Sequence, residues 1–283
     1  MKKNLSLLTI FAIFLAFLAI MTYFGQRMES KDRTPLNIYT PCGLTLPLQE
    51  LGLAFEKTHR NIKVEITSDN AVILTRLIRE KGKKPDLFIS PGEKEIGLLR
   101  QDGLIDEYSI KSFGRHELIL IVPSDSKEIN SLEDLFKDSV KIITIANPNY
   151  NSIGDYSVIA LRKLGYWDKL QKTKSIIFTD TPIEALSSVA AKKSDAGIHY
   201  NFCSFEPGSG KISQGGIKVI AQLPSFSHPP IYNYVGILKA SKNNKIAQSF
   251  IDFISSLKGQ KILSKYGLAG NVKQVNQVSP GAK

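Results

Sequence analysis

Between residues 36 and 266, apolar positions follow two alternating periods. Ile62-Lys-Val-Glu-Ile66 alternates residue by residue, as a strand with one solvated face does, and Leu36–Tyr39 and Asp86–Ser90 are short apolar runs of the same length class. Between them the spacing lengthens to three and four residues, at Leu48, Leu51, Ala54 and Phe55 and again at Val72, Leu74, Leu77 and Ile78, which predicts helices. Thr45 is the expected N-cap of the first helix, with Pro47 in its first turn. Gly82, Gly103 and Gly165 stand where predicted helices end.

The second half repeats the pattern. Leu118–Val122 has no polar position and predicts a strand buried on both faces. Further strands are expected at 140–145, 176–178, 196–200, 217–221 and 232–238, and helices at 131–136, 153–164, 183–192, 245–255 and 259–266. Repeated strand–helix units predict an α/β fold with largely parallel sheets. Two lobes suit the length: residues 34–118 with 237–270 form the first and 119–236 the second. Leu118–Val122 and Tyr232–Leu238 are expected to cross between them, and residues 271–283 form a polar tail.

Residues 1–33 read as a leader and linker. Lys2 and Lys3 precede the uncharged run Leu5–Phe24, whose residues at ~1.5 Å each span about 30 Å, enough for a bilayer core. The run ends in bulky Met21-Thr-Tyr-Phe24, without a small-residue cleavage site or a cysteine to take a lipid. An uncleaved anchor is therefore favoured over a cleaved signal peptide. Either form places the remainder at the periplasmic or extracellular face of the cytoplasmic membrane.

Composition adds limits. The formal charge of +11 falls to +8 without residues 1–33, and the densest basic run is only Lys81-Gly-Lys-Lys84. No concentrated basic face with stacking aromatics is present, which argues against nucleic acid as a partner. Two cysteines, Cys42 and Cys203, show no CxxC or Cys/His spacing of a structural zinc site. Phosphate-loop, HExxH and GxSxG patterns are absent. Cys42 with His199 could form a nucleophile–base pair, but no motif supplies an orienting third group, so an enzyme is not expected.

In their order, several stretches resemble the molybdate/tungstate-binding proteins of ABC-type uptake transporters: Leu44-Thr45, Ala54-Phe-Glu56, Leu74-Thr-Arg-Leu-Ile78, Pro85–Ser90 and Gly103-Leu-Ile105. Leu118–Pro123, Ile145-Ala-Asn-Pro148, Gly154-Asp-Tyr156, Ala160–Asp168, Asp195–Tyr200 and Tyr266-Gly-Leu268 continue the likeness, which spans residues 36–268. It implies the type II periplasmic-binding-protein fold, two α/β lobes joined by two crossing strands. It further implies a monomer that captures a small inorganic ligand in an interlobe cleft for an ABC-type permease, with no cofactor and no catalysis.

That family holds its oxyanion by hydrogen bonds from two serine hydroxyls, backbone N–H groups and one tyrosine hydroxyl. Neutral oriented donors and helix N-termini suit a dehydrated anion. The resemblance puts Gly43 at the first serine and Asn70-Ala71 at the second, where the Asn70 amide can still donate. Ile153 supplies a backbone N–H, Pro182 stands where another is expected but has none, and Tyr200 matches the tyrosine.

The resemblance also brings Cys42 and Cys203 to the cleft, one on each lobe. They are either unpaired space-filling thiols, a disulfide across the cleft, or joint ligands of a soft metal, arsenite or a thio-substituted oxyanion. Strand alternation puts His199 on the face opposite Tyr200, a structural position. The ligand-binding candidates are thus Cys42, Gly43, Asn70, Ala71, Ile153, Tyr200 and Cys203. A ligand sensor anchored in the membrane, or a soft-metal receptor working through the two cysteines, is the alternative to a transport receptor for an oxyanion.

Overall fold

The computed structural model describes residues 14–17, 33–201 and 215–268. Among them no helix is long and apolar enough to cross a membrane. The expected anchor, apart from Phe14–Phe17, and the polar tail lie outside the described residues.

Two five-stranded sheets organise the chain. The first has β1 (Thr34–Pro41), β2 (Ile62–Asp69), β3 (Leu87–Ser90), β4 (Lys111–His116) and β10 (Ile231–Ile237), in the order β2-β1-β3-β10-β4. The second has β5 (Leu118–Pro123), β6 (Ile142–Ala146), β7 (Ser175–Thr179), β8 (Ala196–Tyr200) and β9 (Ile217–Gln222), in the order β7-β6-β8-β5-β9. In each, three strands are parallel and the last two in the order run antiparallel to their neighbours. β5 is buried at all six positions, as an uninterrupted apolar strand requires.

The chain passes from the first sheet to the second at Glu117, between β4 and β5, and returns through residues 223–230 into β10. The predicted crossings are therefore the second-sheet end of the outward passage and the first-sheet end of the return. Residues 231–236, read from sequence as part of the second lobe, pair with β3 and β4 in the first sheet.

Helices follow the strands: α1 (Thr45–Glu56), α2 (Ala71–Arg79), α3 (Glu93–Gln101), α4 (Ser152–Lys163), α5 (Trp167–Thr173), α6 (Pro182–Ala190), α7 (Asn244–Ser255) and α8 (Leu257–Ser264). Leu36, Ile38, Leu48, Leu51, Phe55 and Phe250 are fully buried between α1, α7 and the first sheet. Phe88, Leu99, Ile105 and Tyr234 fill that sheet's other side. Gly103 and Gly165 adopt φ of +67° and +73°, ending α3 and α4 in the left-handed region. Thr45 is not the cap of α1. A 3-10 turn at Cys42–Leu44 runs straight into the helix, and the Thr45 hydroxyl instead donates to the Cys42 carbonyl at 2.7 Å.

Two elements escape the sequence pattern. β4 (Lys-Ser-Phe-Gly-Arg-His) carries one large apolar residue and a Gly114 at φ +56°, so its strand character comes from pairing with β10. Asn233 Nδ2 donates to the Gly114 carbonyl at 3.0 Å where the register shifts. α5 spans only seven residues, too few to show a helical period.

Candidate functional site

The helices that follow parallel strands start at one edge of each sheet, and the two edges face each other. In open α/β sheets, ligands bind at the carboxyl ends of the strands. A cavity of about 260 Å³ lies there, walled from the first sheet by Pro41, Cys42, Gly43, Asn70, Ala71, Pro91 and Glu95. From the second sheet come Asn151, Ile153, Pro182, Ile183, Leu186, His199 and Tyr200.

Six of the seven ligand-binding candidates, Cys42, Gly43, Asn70, Ala71, Ile153 and Tyr200, therefore line one cavity. The seventh, Cys203, lies outside the described residues. Pro182 also reaches the wall, as the first residue of α6.

Each donor is placed by local structure. Asn70 is the N-cap of α2, and its Oδ1 accepts from the Val72 N–H at 2.9 Å. That bond uses the amide's acceptor end, so its two Nδ2 donors can serve a partner beyond the helix. Asn151 caps α4 without a side-chain bond to the helix; its Nδ2 instead ties down the carbonyls of Asn147 and Asp180, both at 3.2 Å. Ile153 is the second residue of α4, inside the turn whose N–H groups have no helical acceptor. Gly154 packs so tightly that an added Cβ would lie 2.0 Å from the Ala146 oxygen, which pins the start of α4 to the end of β6. Tyr200 is 2% exposed, and its ring meets His116 edge-on at 4.3 Å. Burial, with the His228 ring adding to it, lowers the His116 pKa to about 3, so this imidazole at the passage between sheets is neutral.

Three polar wall residues were not singled out as site residues by the sequence. His199, expected on the far face from Tyr200, lines the cavity as well because β8 ends there and its side chain turns under α6. Its Nε2 lies 3.1 Å from the Pro182 carbonyl and its Nδ1 3.4 Å from that of Tyr200, and burial lowers its pKa. It thereby ties the start of α6 to the end of β8. Asn151 is the second addition. The third is Glu95, which is 2% exposed and joins the two lobes. The Ser152 N–H donates to its Oε1 at 3.0 Å and the Ser152 hydroxyl bonds Oε2, while the Ser90 hydroxyl, which donates to the Gly92 carbonyl, lies 3.3 Å from Oε2. Burial raises the Glu95 pKa against these opposing hydrogen bonds. Beside it the Lys94 N–H donates to the Ser152 hydroxyl at 3.1 Å, and the Lys94 ammonium pairs with Asp155 at 3.6 Å.

Cys42 is a free cysteine, exposed at the cavity mouth. Crowding by protein around the sulfur raises its pKa, against backbone hydrogen bonds and with the Asp69 charge adding to the rise. It is a neutral thiol rather than an activated thiolate, which disfavours nucleophilic chemistry. Among the described residues, no group of three or more His, Cys, Asp and Glu side chains could hold a metal ion. Among the described residues, Glu95 is the only acidic one in the wall, and no lysine or arginine lines the cavity. What the wall offers is amide, thiol and phenol donors and the N-termini of α2, α4 and α6, between apolar surfaces.

Comparison with known proteins identifies the family and the fold. Residues 36–269 match the family described as bacterial extracellular solute-binding protein. A Bacillus subtilis protein named as an ABC transporter substrate-binding lipoprotein is 26% identical over 240 residues, covering 84% of this chain and 88% of the relative. The molybdate-binding protein of Escherichia coli is 24% identical over 241 residues, covering 83% and 89%. The structure of the periplasmic molybdate-binding protein of Azotobacter vinelandii superposes with a TM-score of 0.68 at 22% identity, over 82% of this chain and 97% of that one.

Proposed function

Because the chain belongs to the family of bacterial extracellular solute-binding proteins, we propose that it captures a small oxyanion in the cavity between its lobes and presents it to an ABC-type permease. The observation that carries this reading is the convergence of α2 and α4 N-termini, Asn70 and Tyr200 on one cavity that no lysine or arginine among the described residues lines. An anion there is held by oriented neutral donors, whose partial positive charge costs no ion-pair desolvation. Catalysis has no support in the wall: Cys42 is a neutral thiol, and both His199 nitrogens face backbone carbonyls.

Two positions set this cleft apart from a complete tetraoxoanion site. Gly43 brings no hydroxyl, and Pro182 brings no N–H at the start of α6. Each unmade contact in a dry cleft costs about 1–3 kcal/mol. Molybdate is therefore expected to bind weakly. The thiophilic alternative needs a second sulfur beside Cys42, and no specific feature of the described cavity favours it.

Tyr200→Phe tests the reading. It removes one hydroxyl and keeps the ring that packs on His116. Losing a hydrogen bond to a charged ligand costs about 1.5–3 kcal/mol, a ~10- to 150-fold rise in Kd. Titration calorimetry with phosphate, alkylphosphonates and molybdate measures it. An unchanged Kd for the anion that binds best would remove Tyr200, and this cavity, from the account.

A further inference from the structure

Glu95 is a carboxyl in a cleft read as an anion receptor, and its hydrogen bonds say what kind of anion fits. A carboxylate offers about four acceptor positions on its two oxygens. The chain fills two, with the Ser152 N–H on Oε1 and the Ser152 hydroxyl on Oε2; the single Ser90 hydroxyl proton goes to the Gly92 carbonyl and leaves Ser90 Oγ 3.3 Å from Oε2. A further position on Oε1 is open, on a residue that lines the cavity and has almost no access to bulk water. An acceptor walled off in this way pairs with a donor on the ligand or stays unmade at a cost.

Fully ionised tetrahedral oxyanions such as molybdate, tungstate and sulfate carry no proton at neutral pH. Against the ionised carboxylate, to which Ser152 donates from both its N–H and its hydroxyl, they set lone pair against lone pair at Oε1 unless a proton is taken up from solvent. An oxyanion that keeps one O–H pairs with Oε1, and one proton is then shared between ligand oxygen and carboxyl. Sites built around such a hydrogen bond reject analogues that lack the donor far more strongly than apolar pockets reject a methylene.

The rest of the wall bears on ligand size. At about 30 Å³ per water, a cavity of about 260 Å³ corresponds to eight or nine waters. A five-atom oxyanion fills less than half of that. Pro41, Ile183 and Leu186 bound the space with carbon, which suits an apolar substituent.

We propose that Glu95 and this apolar wall make the cleft selective for a proton-bearing, singly substituted oxyanion of the short alkylphosphonate class, over fully ionised tetraoxoanions. This rests on the reading of the cavity as an oxyanion receptor, and it names the chemical class that site takes.

The test is titration calorimetry at pH 7 with propylphosphonate, methylphosphonate, phosphate, molybdate and tungstate, on the unaltered protein and on Glu95→Gln. In the unaltered protein propylphosphonate binds tightest, at least ~30-fold tighter than molybdate, the size of one mismatched buried hydrogen bond. In Glu95→Gln, which keeps the side chain's shape and removes its charge, that ratio collapses by ~10-fold or more. The ratio in the unaltered protein decides the matter even if the variant fails to fold. Molybdate binding as tightly as propylphosphonate, or an unchanged ratio in a folded variant, overturns the proposal and leaves the oxyanion receptor standing. No binding of any of the five anions removes the receptor reading, and this inference with it.

Discussion

Gly92→Val is expected to weaken ligand capture by at least ~100-fold while both lobes stay folded. Gly92 sits between β3 and α3 on the first lobe, and an added Cβ would lie 2.3 Å from Cβ and 2.4 Å from Oγ of Ser152 on the second. Its φ of 171° is extended backbone that valine adopts readily, so the lesion is steric and falls between the lobes. The Ser152–Glu95 bonds and the Lys94–Asp155 pair cross at the same place. Wedging it open removes the second-lobe donors from a ligand held on the first, a loss of about 3 kcal/mol or more. Calorimetry measures the affinity, and circular dichroism with thermal melting reports the fold. Full affinity in a folded Gly92→Val protein would mean that the ligand does not need the two lobes together.

The second large effect is on stability. Gly154→Ala places a Cβ 2.0 Å from the Ala146 oxygen and 2.8 Å from its carbon. These are backbone atoms at the end of β6, which pairs on both sides and cannot retreat. Overpacking of this kind costs about 1–3 kcal/mol and more where backbone must move. The variant is expected to lower the unfolding free energy by ~3 kcal/mol and to displace the start of α4, with its Ile153 N–H, from the cavity. Urea denaturation measures the first, and ligand affinity in the surviving folded fraction measures the second. A change below ~0.5 kcal/mol would show that β6 and α4 separate easily.

How much of this was legible in the sequence follows from where each signal resides. The strands and helices with long apolar periods stand within a few residues of their expected bounds: β5 because it has no polar position, α2 because Asn70 caps it, α3 and α4 because Gly103 and Gly165 end them. β4 was invisible because its pairing with β10, over a hundred residues away, makes it a strand, not its composition. The cavity residues Cys42, Gly43, Asn70, Ala71, Ile153 and Tyr200 were found through family resemblance, since no single tripeptide among them carries the chemistry. Glu95 could not be found that way. Glu93-Lys-Glu95 reads as a solvated first turn of a helix, and its burial is set by Ser152, 57 positions distant. His199 is the buried, structural side chain expected, but on a different face. Alternation describes a strand's interior, whereas β8 ends at Tyr200 and both of its last residues reach the cavity wall.

The most direct test of ligand capture between the lobes uses the exposed thiol at the cavity mouth. With Cys203 replaced by serine, Cys42 is the only cysteine of the chain. Its alkylation rate by a small maleimide can be followed with saturating phosphate, propylphosphonate or molybdate and without them. Closure over a ligand beside Gly43 and Asn70 is predicted to slow that rate by ~10-fold or more for at least one of the three, as a group shielded in the closed state reacts only through opening. A Cys42 rate that none of the three anions changes would contradict the account.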